Sequence, residues 1–224
     1  MLHTSVEALL DIEAGMAITK GKAAHIWERD EHDWYVEPYE CSMALFDVED
    51  IAGPIWDPAC GLGRILRCAQ NYNKQTVGSD IIRRSSYCEI EMDFLLGIKT
   101  PFFKSIVSNP PFGLAEDFVR LAIQIAPEGG KIAMILPLVW MAGFSAKRDW
   151  LPHSPLRRIY SISPRPSMPP GAVIQAGLKP GNGTKDFAWF VWEKGFEGPT
   201  ELRFLNTKPH KARVSDESQM EIAI

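Results

Sequence analysis

The chain has 224 residues, 46% hydrophobic and 23% charged, enough to bury one good core, so one domain with a small elaboration is expected. No run approaches the roughly 18 apolar residues of a membrane span, and the N-terminal stretch carries acids where a secretory leader would carry bases, so a cytoplasmic location is expected. Cys41, Cys60, Cys68 and Cys88 form no Cys-x-x-Cys pair and have no accompanying histidine cluster, which argues against both a zinc site and a disulfide framework; no metal ligand is assigned.

The net charge of −4 is unevenly placed: residues 1–144 carry 12 basic and 20 acidic side chains, residues 145–213 carry 12 and 5, and the last eleven residues are net −3. A basic C-terminal third on an acidic body is the asymmetry expected of a face that meets phosphates, although a lysine-rich solvated surface gives the same count.

Residues 1–33 read as an N-terminal arm or helix, with Val6, Leu9, Leu10, Ile12 and Ile18 in an amphipathic pattern. The aromatic turn Trp34-Tyr35-Val36-Glu37-Pro38-Tyr39 follows, and Met43, Leu45, Phe46 and Val48 predict a helix leading into a sheet. In Ile55-Trp56-Asp57-Pro58-Ala59-Cys60-Gly61-Leu62-Gly63-Arg64 a short apolar strand runs into an acid, a two-glycine turn and the helical pattern Ile65, Leu66, Ala69. The glycines allow the backbone to approach a ligand that a Cβ would exclude. The third glycine of a dinucleotide loop is absent, and a strand-end acid repels a pyrophosphate but suits a cationic ligand such as a sulfonium bearing an ammonium group.

Thr76-Val77-Gly78-Ser79-Asp80 predicts the second strand, with Asp80 17 residues beyond Gly63, close to the spacing at which a strand-end acid meets ribose hydroxyls. Glu91-Met92-Asp93-Phe94-Leu95 is expected to end the third strand. The apolar run 102–107 then enters Ser108-Asn109-Pro110-Pro111-Phe112-Gly113. Each proline fixes its own φ and pushes the preceding residue out of the helical region, so a strand ends in a stiff elbow. At the carboxyl end of a strand in an open α/β sheet such an elbow faces the ligand crevice. An Asn amide, a Pro carbonyl and an aromatic ring there suit a planar substrate with an amino group. The exocyclic amine of adenine is a weak nucleophile because its lone pair is delocalised into the ring. If the Asn109 side-chain oxygen and the Pro110 carbonyl both accept its hydrogens, the lone pair turns toward an electrophile, while Phe112 stacks on the ring for about 1–3 kcal/mol. An ordinary strand-to-helix turn would use the same residues without this chemistry.

Phe118, Leu121, Ala122 and Ile125 predict a sheet-covering helix over 115–126, and 131–137 a buried fifth strand of parallel type. The alternation calls for a doubly wound, mostly parallel α/β sheet. Beyond Phe144, Lys147, Arg148, Trp150, His153, Arg157 and Arg158 gather basic and aromatic residues ahead of a strand at 158–163. Residues 164–183, with five prolines and four glycines, read as a long functional loop. Residues 187–192 are the last clear strand, 201–205 a candidate edge strand, and Lys208, His210, Lys211 and Arg213 a basic tail. The expected organisation is an arm at 1–33, a domain at 34–205 and a basic then acidic tail at 206–224.

Asn109-Pro110-Pro111-Phe112, with Asp57-Pro58-Ala59-Cys60-Gly61-Leu62-Gly63 before it, resembles the motifs of S-adenosylmethionine-dependent amino methyltransferases, most closely the DNA adenine-N6 group, over roughly positions 34 to 194. Related Asn-Pro-Pro-aromatic motifs occur in RNA and protein-glutamine methyltransferases. The resemblance implies a seven-stranded Rossmann-like sheet with a terminal antiparallel hairpin and S-adenosyl-L-methionine as cofactor. It implies catalytic roles for Asn109, Pro110, Pro111 and Phe112, and cofactor contacts from Tyr35, Pro38, Asp57, Ala59, Gly61, Gly63, Asp80, Ile81, Asp93 and Phe94. In that scheme Asp93 accepts from the cofactor's adenine amino group and Ile81 and Phe94 sandwich its ring. The family more often has Thr where Glu37 precedes Pro38, which puts the hydrogen bond usually assigned there in doubt. Substrate contacts are expected from Lys147, Arg148, Arg157, Arg158, Trp189 and the 164–183 loop. The expected reaction is methylation of adenine N6 in DNA, with the base taken out of the stack. An RNA or protein-glutamine methyltransferase, or a catalytically silent cofactor-binding subunit, are the alternatives. The loop is short for a full target-recognition domain, so a second copy or a separate specificity subunit is an expected partner.

Overall fold

The computed structural model describes residues 33–96, 102–142, 149–178 and 181–208. The expected N-terminal helix, Lys147, Arg148 and the tail residues His210, Lys211 and Arg213 lie outside the described residues. In chain order the described elements are α1 (Tyr39–Val48), β1 (Ile55–Asp57), α2 (Arg64–Asn71), β2 (Thr76–Asp80), β3 (Ile90–Glu91), β4 (Ser105–Ser108), α3 (Ala115–Ile125), β5 (Lys131–Pro137), β6 (Leu156–Ser163), α4 (Gly171–Gln175), β7 (Phe187–Glu193) and β8 (Glu201–Asn206).

The strands form one eight-stranded sheet in the order β3-β2-β1-β4-β5-β7-β6-β8. From β3 to β5 the pairing is parallel, and β7 inserts antiparallel between β5 and β6. β8 is the candidate edge strand, paired parallel to β6 and one more than the seven implied by resemblance. Short connections join β1 to α2 and β4 to α3, so the polar residues that end β1, β2 and β4 emerge together at the carboxyl edge of the parallel strands.

Alternation along each strand divides the core between the two faces of the sheet. Ile55, Val107, Ala133, Ile135, Trp189 and Val191 pack in one cluster with Leu45 and Phe46 of α1 and Ile65 and Ala69 of α2. Trp56, Ile106, Ile132, Met134, Phe190 and Trp192 pack on the other face with Phe118, Val119 and Ala122 of α3. Strands buried on both faces carry few polar residues, which is why β5 reads as an unbroken apolar run.

A buried polar cluster closes the amino edge of the sheet. Glu49, directly after α1, accepts from Lys131 Nζ at 2.6 Å, Arg158 Nη1 at 2.9 Å and Tyr160 OH at 2.7 Å. Burial alone would raise the Glu49 pKa, but the hydrogen bonds from Lys131 and Tyr160 and the charges of Lys131 and Arg158 hold it below its ordinary value.

Within the 164–183 segment, residues 171–175 form a short helix that its proline and glycine content does not suggest, α4, which starts directly after Pro169 and Pro170. Pro fits the start of a helix because the N–H it lacks has no partner there. This segment also binds the aromatic turn: Val36 N donates to Pro169 O and Gly171 N to Trp34 O, both at 2.9 Å.

Candidate active site

A cavity of about 400 Å³ opens where β1, β2 and β4 end, within the range of small-ligand pockets. Its wall includes Tyr35, Asp57, Ala59, Gly61, Asp80, Ile81, Asp93, Phe94, Asn109 and Pro111, so most residues expected in the site meet there. Pro38, Gly63, Pro110 and Phe112 do not line it.

Asp57, 1% exposed, ends β1 and accepts from Ala59 N at 3.1 Å and from Ser108 Oγ at 2.7 Å. Burial raises its pKa well above the ordinary carboxylate value; the Ser108 and Ala59 hydrogen bonds oppose this, and the charges of Glu37 and Asp80 add to it. Asp80 ends β2 and has both oxygens engaged: Oδ2 accepts from Gly61 N at 2.8 Å, and Oδ1 from Ile82 N at 3.1 Å and Arg84 Nη1 at 2.7 Å. The Arg84 guanidinium lies 4.4 Å from the centre of the Trp34 ring, so the aromatic turn, the glycine loop and β2 are clasped together. Gly61, at φ 47°, could not carry a side chain, since its Cβ would stand 2.9 Å from Trp34 Nε1. Gly63, at φ 74°, is needed for the approach of Tyr87, whose ring would be 2.3 Å from a Cβ. That second glycine serves packing behind the cavity, a different duty from the ligand contact expected of it.

Asp93 Oδ1 accepts from Leu95 N at 2.9 Å, and Phe94 packs edge-on against Trp56 at 5.2 Å. Cys60 also lines the cavity; burial and the Asp57 charge push its thiol pKa up, so it stays protonated and is no nucleophile.

Asn109 follows β4 and is held from the aromatic turn. Its Nδ2 donates to Tyr35 O at 2.8 Å and to Glu37 Oε2 at 2.9 Å. Both amide hydrogens thus have acceptors, leaving Oδ1 as the group the side chain offers a ligand. Pro110 is buried behind it. The Phe112 ring is stacked on Tyr35 at 5.8 Å and tilted against Phe187 at 5.6 Å, where the sequence suggested a ring open to substrate.

Three expected substrate residues are placed elsewhere. Trp189 is fully buried in the centre of β7 and donates from Nε1 to Cys41 O at 2.9 Å, so it is core. Arg157 pairs with Glu193, and Arg158 with Glu49. The register explains this: Leu156 lies opposite Trp192, and Glu193 opposite Lys131, so the start of β6 sits at the amino end of β5, across the sheet from the crevice. Arg157 and Arg158, counted in the sequence among the phosphate-facing bases, stand at the edge away from the crevice.

Glu37 and Arg84 are among the site residues that sequence reasoning did not assign. Glu37 was visible only as an acid where Thr is commoner, and Arg84 only as a base four residues after a strand-end acid. The wall holds five carboxylates, Asp33, Glu37, Asp57, Asp80 and Asp93, against two guanidiniums, Arg64 and Arg84. An anionic phosphate ligand is disfavoured in such a cavity and a cationic one favoured. Among the described residues no group of three or more His, Cys, Asp or Glu could hold a metal ion.

No protein-family model matches the sequence, and no curated protein matches it. Solved structures do. Protein Atu636 from Agrobacterium tumefaciens, assigned by prediction as an O-methyltransferase, superposes with a TM-score of 0.50 at 21% identity, covering 75% of this chain and 85% of its own. The M protein of the type I restriction enzyme EcoKI superposes at 0.50 and 15% identity, covering 73% of this chain and 44% of its own. A protein from Listeria monocytogenes assigned to the class I S-adenosylmethionine-dependent methyltransferases superposes at 0.47 and 15%, covering 75% and 62%. This chain has the class I methyltransferase fold. It spans less than two thirds of the length of the Listeria and EcoKI chains. Here the acids that end β1 and β2 share one crevice with Asn109 and Pro111 of the elbow after β4. Among the described residues no helix is long and apolar enough to cross a membrane.

Proposed function

We propose that the protein is an S-adenosylmethionine-dependent amino methyltransferase acting on adenine N6 in DNA. The observation that carries this reading is the Asn109 amide, whose two hydrogens are bound by Tyr35 O and Glu37 so that its oxygen is the acceptor available to an amino group beside an acidic cavity. The cavity chemistry fits the cofactor: its surplus of carboxylates complements a sulfonium and an ammonium, with Asp57 and Asp80 at the strand ends and Phe94 and Ile81 available to its adenine. When bound, the cofactor supplies an electrophilic methyl group. Transfer of that methyl group to the amine would leave a neutral thioether and one proton for solvent to take. The protein's share is orientation, with Asn109 Oδ1 accepting an amine hydrogen and turning the nitrogen lone pair toward the methyl group.

DNA is favoured over protein by the type I restriction M protein among the structures that share the fold. The test is transfer of tritium from labelled cofactor to DNA, RNA and protein pools. Label in N6-methyladenine of DNA is the expected result; label confined to RNA or to protein glutamine assigns the site to that polymer, and no label in any pool removes the catalytic reading.

A further inference from the structure

We infer that Glu37 is a positioning residue that fixes the amide of Asn109 with its oxygen toward the amine to be methylated. The inference rests on the methyltransferase reading of this site and adds a member to it. Glu37 is 6% exposed, deep for a carboxylate. Its backbone is anchored by Arg64 Nη1, which donates to Glu37 O at 2.9 Å, and its Oε2 accepts from Asn109 Nδ2 at 2.9 Å. The second Nδ2 hydrogen goes to Tyr35 O at 2.8 Å.

An asparagine amide has two orientations that differ in which end faces a given partner. Here a carboxylate and a carbonyl stand on the same side, and both are acceptors. Rotating the amide would forfeit two hydrogen bonds and place Oδ1 against a negative charge, so a single orientation is held. An ionised acceptor also makes the stronger hydrogen bond, and polarisation along the chain Glu37, Asn109 amide, substrate amine makes Oδ1 a better acceptor than an isolated amide would offer. A neutral hydroxyl in place of Glu37 would supply neither the charge nor the repulsion that forbids the flipped state.

The surroundings keep this carboxylate responsive. Burial raises the Glu37 pKa, opposed by its own backbone amide, by Asn109 and by the Arg64 charge. The charged and titratable groups facing it are Arg64 and Cys68 of α2, Asp57 at the end of β1 with Asp80 beyond it, and Cys41 of α1. The polarised state is the ionised one, so turnover rises with pH through the elevated Glu37 pKa and then levels.

The test compares wild type with Glu37→Gln and Glu37→Ala by kcat, by pH profile, and by the Asn109 side-chain amide in a nitrogen-15 spectrum, assigned as the pair lost in Asn109→Ala. Glu37→Ala is expected to lower kcat about 100-fold with little change in KM for nucleic acid, the scale of a misplaced reacting group. Glu37→Gln, which keeps volume and an acceptor, is expected to recover most of that loss while abolishing the pH-dependent rise, and it decides the matter if the alanine variant does not fold. In wild type the Asn109 amide signals should shift as Glu37 titrates, and in Glu37→Gln they should not. An Asn109 amide indifferent to Glu37, or a Glu37→Gln profile that still rises as in wild type, overturns the proposal. If no pool is methylated but the amide still follows Glu37, the coupling stands and the function assigned above is what fails.

Discussion

Ser108 Oγ donates to Asp57 Oδ1 at 2.7 Å, joining the carboxyl ends of β4 and β1. The Asn-Pro-Pro elbow and the glycine loop are therefore braced by one buried bond. Ser108→Ala would leave Asp57 with the Ala59 amide as its remaining partner on that oxygen. The expected cost is about 1–3 kcal/mol of folding stability, read by urea unfolding. An unchanged midpoint and slope would show that the bond contributes nothing.

Asp57 also sets a pH dependence. Its pKa is raised by burial and by the nearby charges of Glu37 and Asp80, so the folded protein holds this proton more tightly than the unfolded chain. The associated stability is complete below the unfolded value and is lost as pH rises through the folded pKa. Asp57→Asn should accordingly melt above wild type at pH above the raised Asp57 pKa in the absence of ligand, with the gap closing as pH falls through it. The same variant should bind the cationic cofactor less tightly. A melting difference that is constant across pH would remove Asp57 as the source.

Asp80 joins the glycine loop, through Gly61 N, to Arg84 and the Trp34 clasp. Asp80→Ala should weaken S-adenosylmethionine binding by one to two orders of magnitude, about 1.4–2.8 kcal/mol. Calorimetry returning wild-type affinity would exclude Asp80 from the cofactor site.

Arg157 and Arg158 sit at the sheet edge remote from the crevice and are paired with Glu193 and Glu49. Arg158→Gln is expected to destabilise the fold by about 1–3 kcal/mol, because Glu49 keeps Lys131 and Tyr160. Neutralising both arginines should leave the salt dependence of nucleic-acid binding unaltered, since no phosphate contact is lost. A flatter slope would return this edge to the binding face.

β2 and β5 follow the sequence reading residue for residue; β5 is an apolar run that starts directly after Gly129-Gly130 and ends on Pro137. Asp57, Asp80 and Asn109 were legible because a polar residue directly after a buried strand has little to do except face a crevice. Glu37 and the fate of Arg158 were not, because each is defined by a partner far along the chain: 72 residues separate Asn109 from Glu37 and 109 separate Arg158 from Glu49. Charge counting saw the arginines but not the acids they meet. Trp189 was open to a better reading, since alternation with Phe187 and Val191 puts it on an inward face.

The pairing of Asn109 with Glu37 yields the sharpest test of the elbow. Asn109→Ala should lower turnover about 10²–10³-fold, the scale for removing one pre-oriented partner of the transition state, while cofactor binding persists. Asn109→Asp keeps the shape of the side chain but sets a second carboxylate against Glu37 and the Tyr35 carbonyl, where Nδ2 now donates at 2.9 and 2.8 Å. It should therefore be at least as inactive and less stable than the alanine variant. Adding Glu37→Gln supplies an amide hydrogen to the new carboxylate, so the double variant should recover stability by about 0.5–3 kcal/mol relative to additivity, with partial return of activity. Strict additivity of the two substitutions, measured by unfolding and by turnover on adenine-containing DNA, would mean that Glu37 and Asn109 act independently and that the amide is oriented by the rigid Pro110-Pro111 backbone instead.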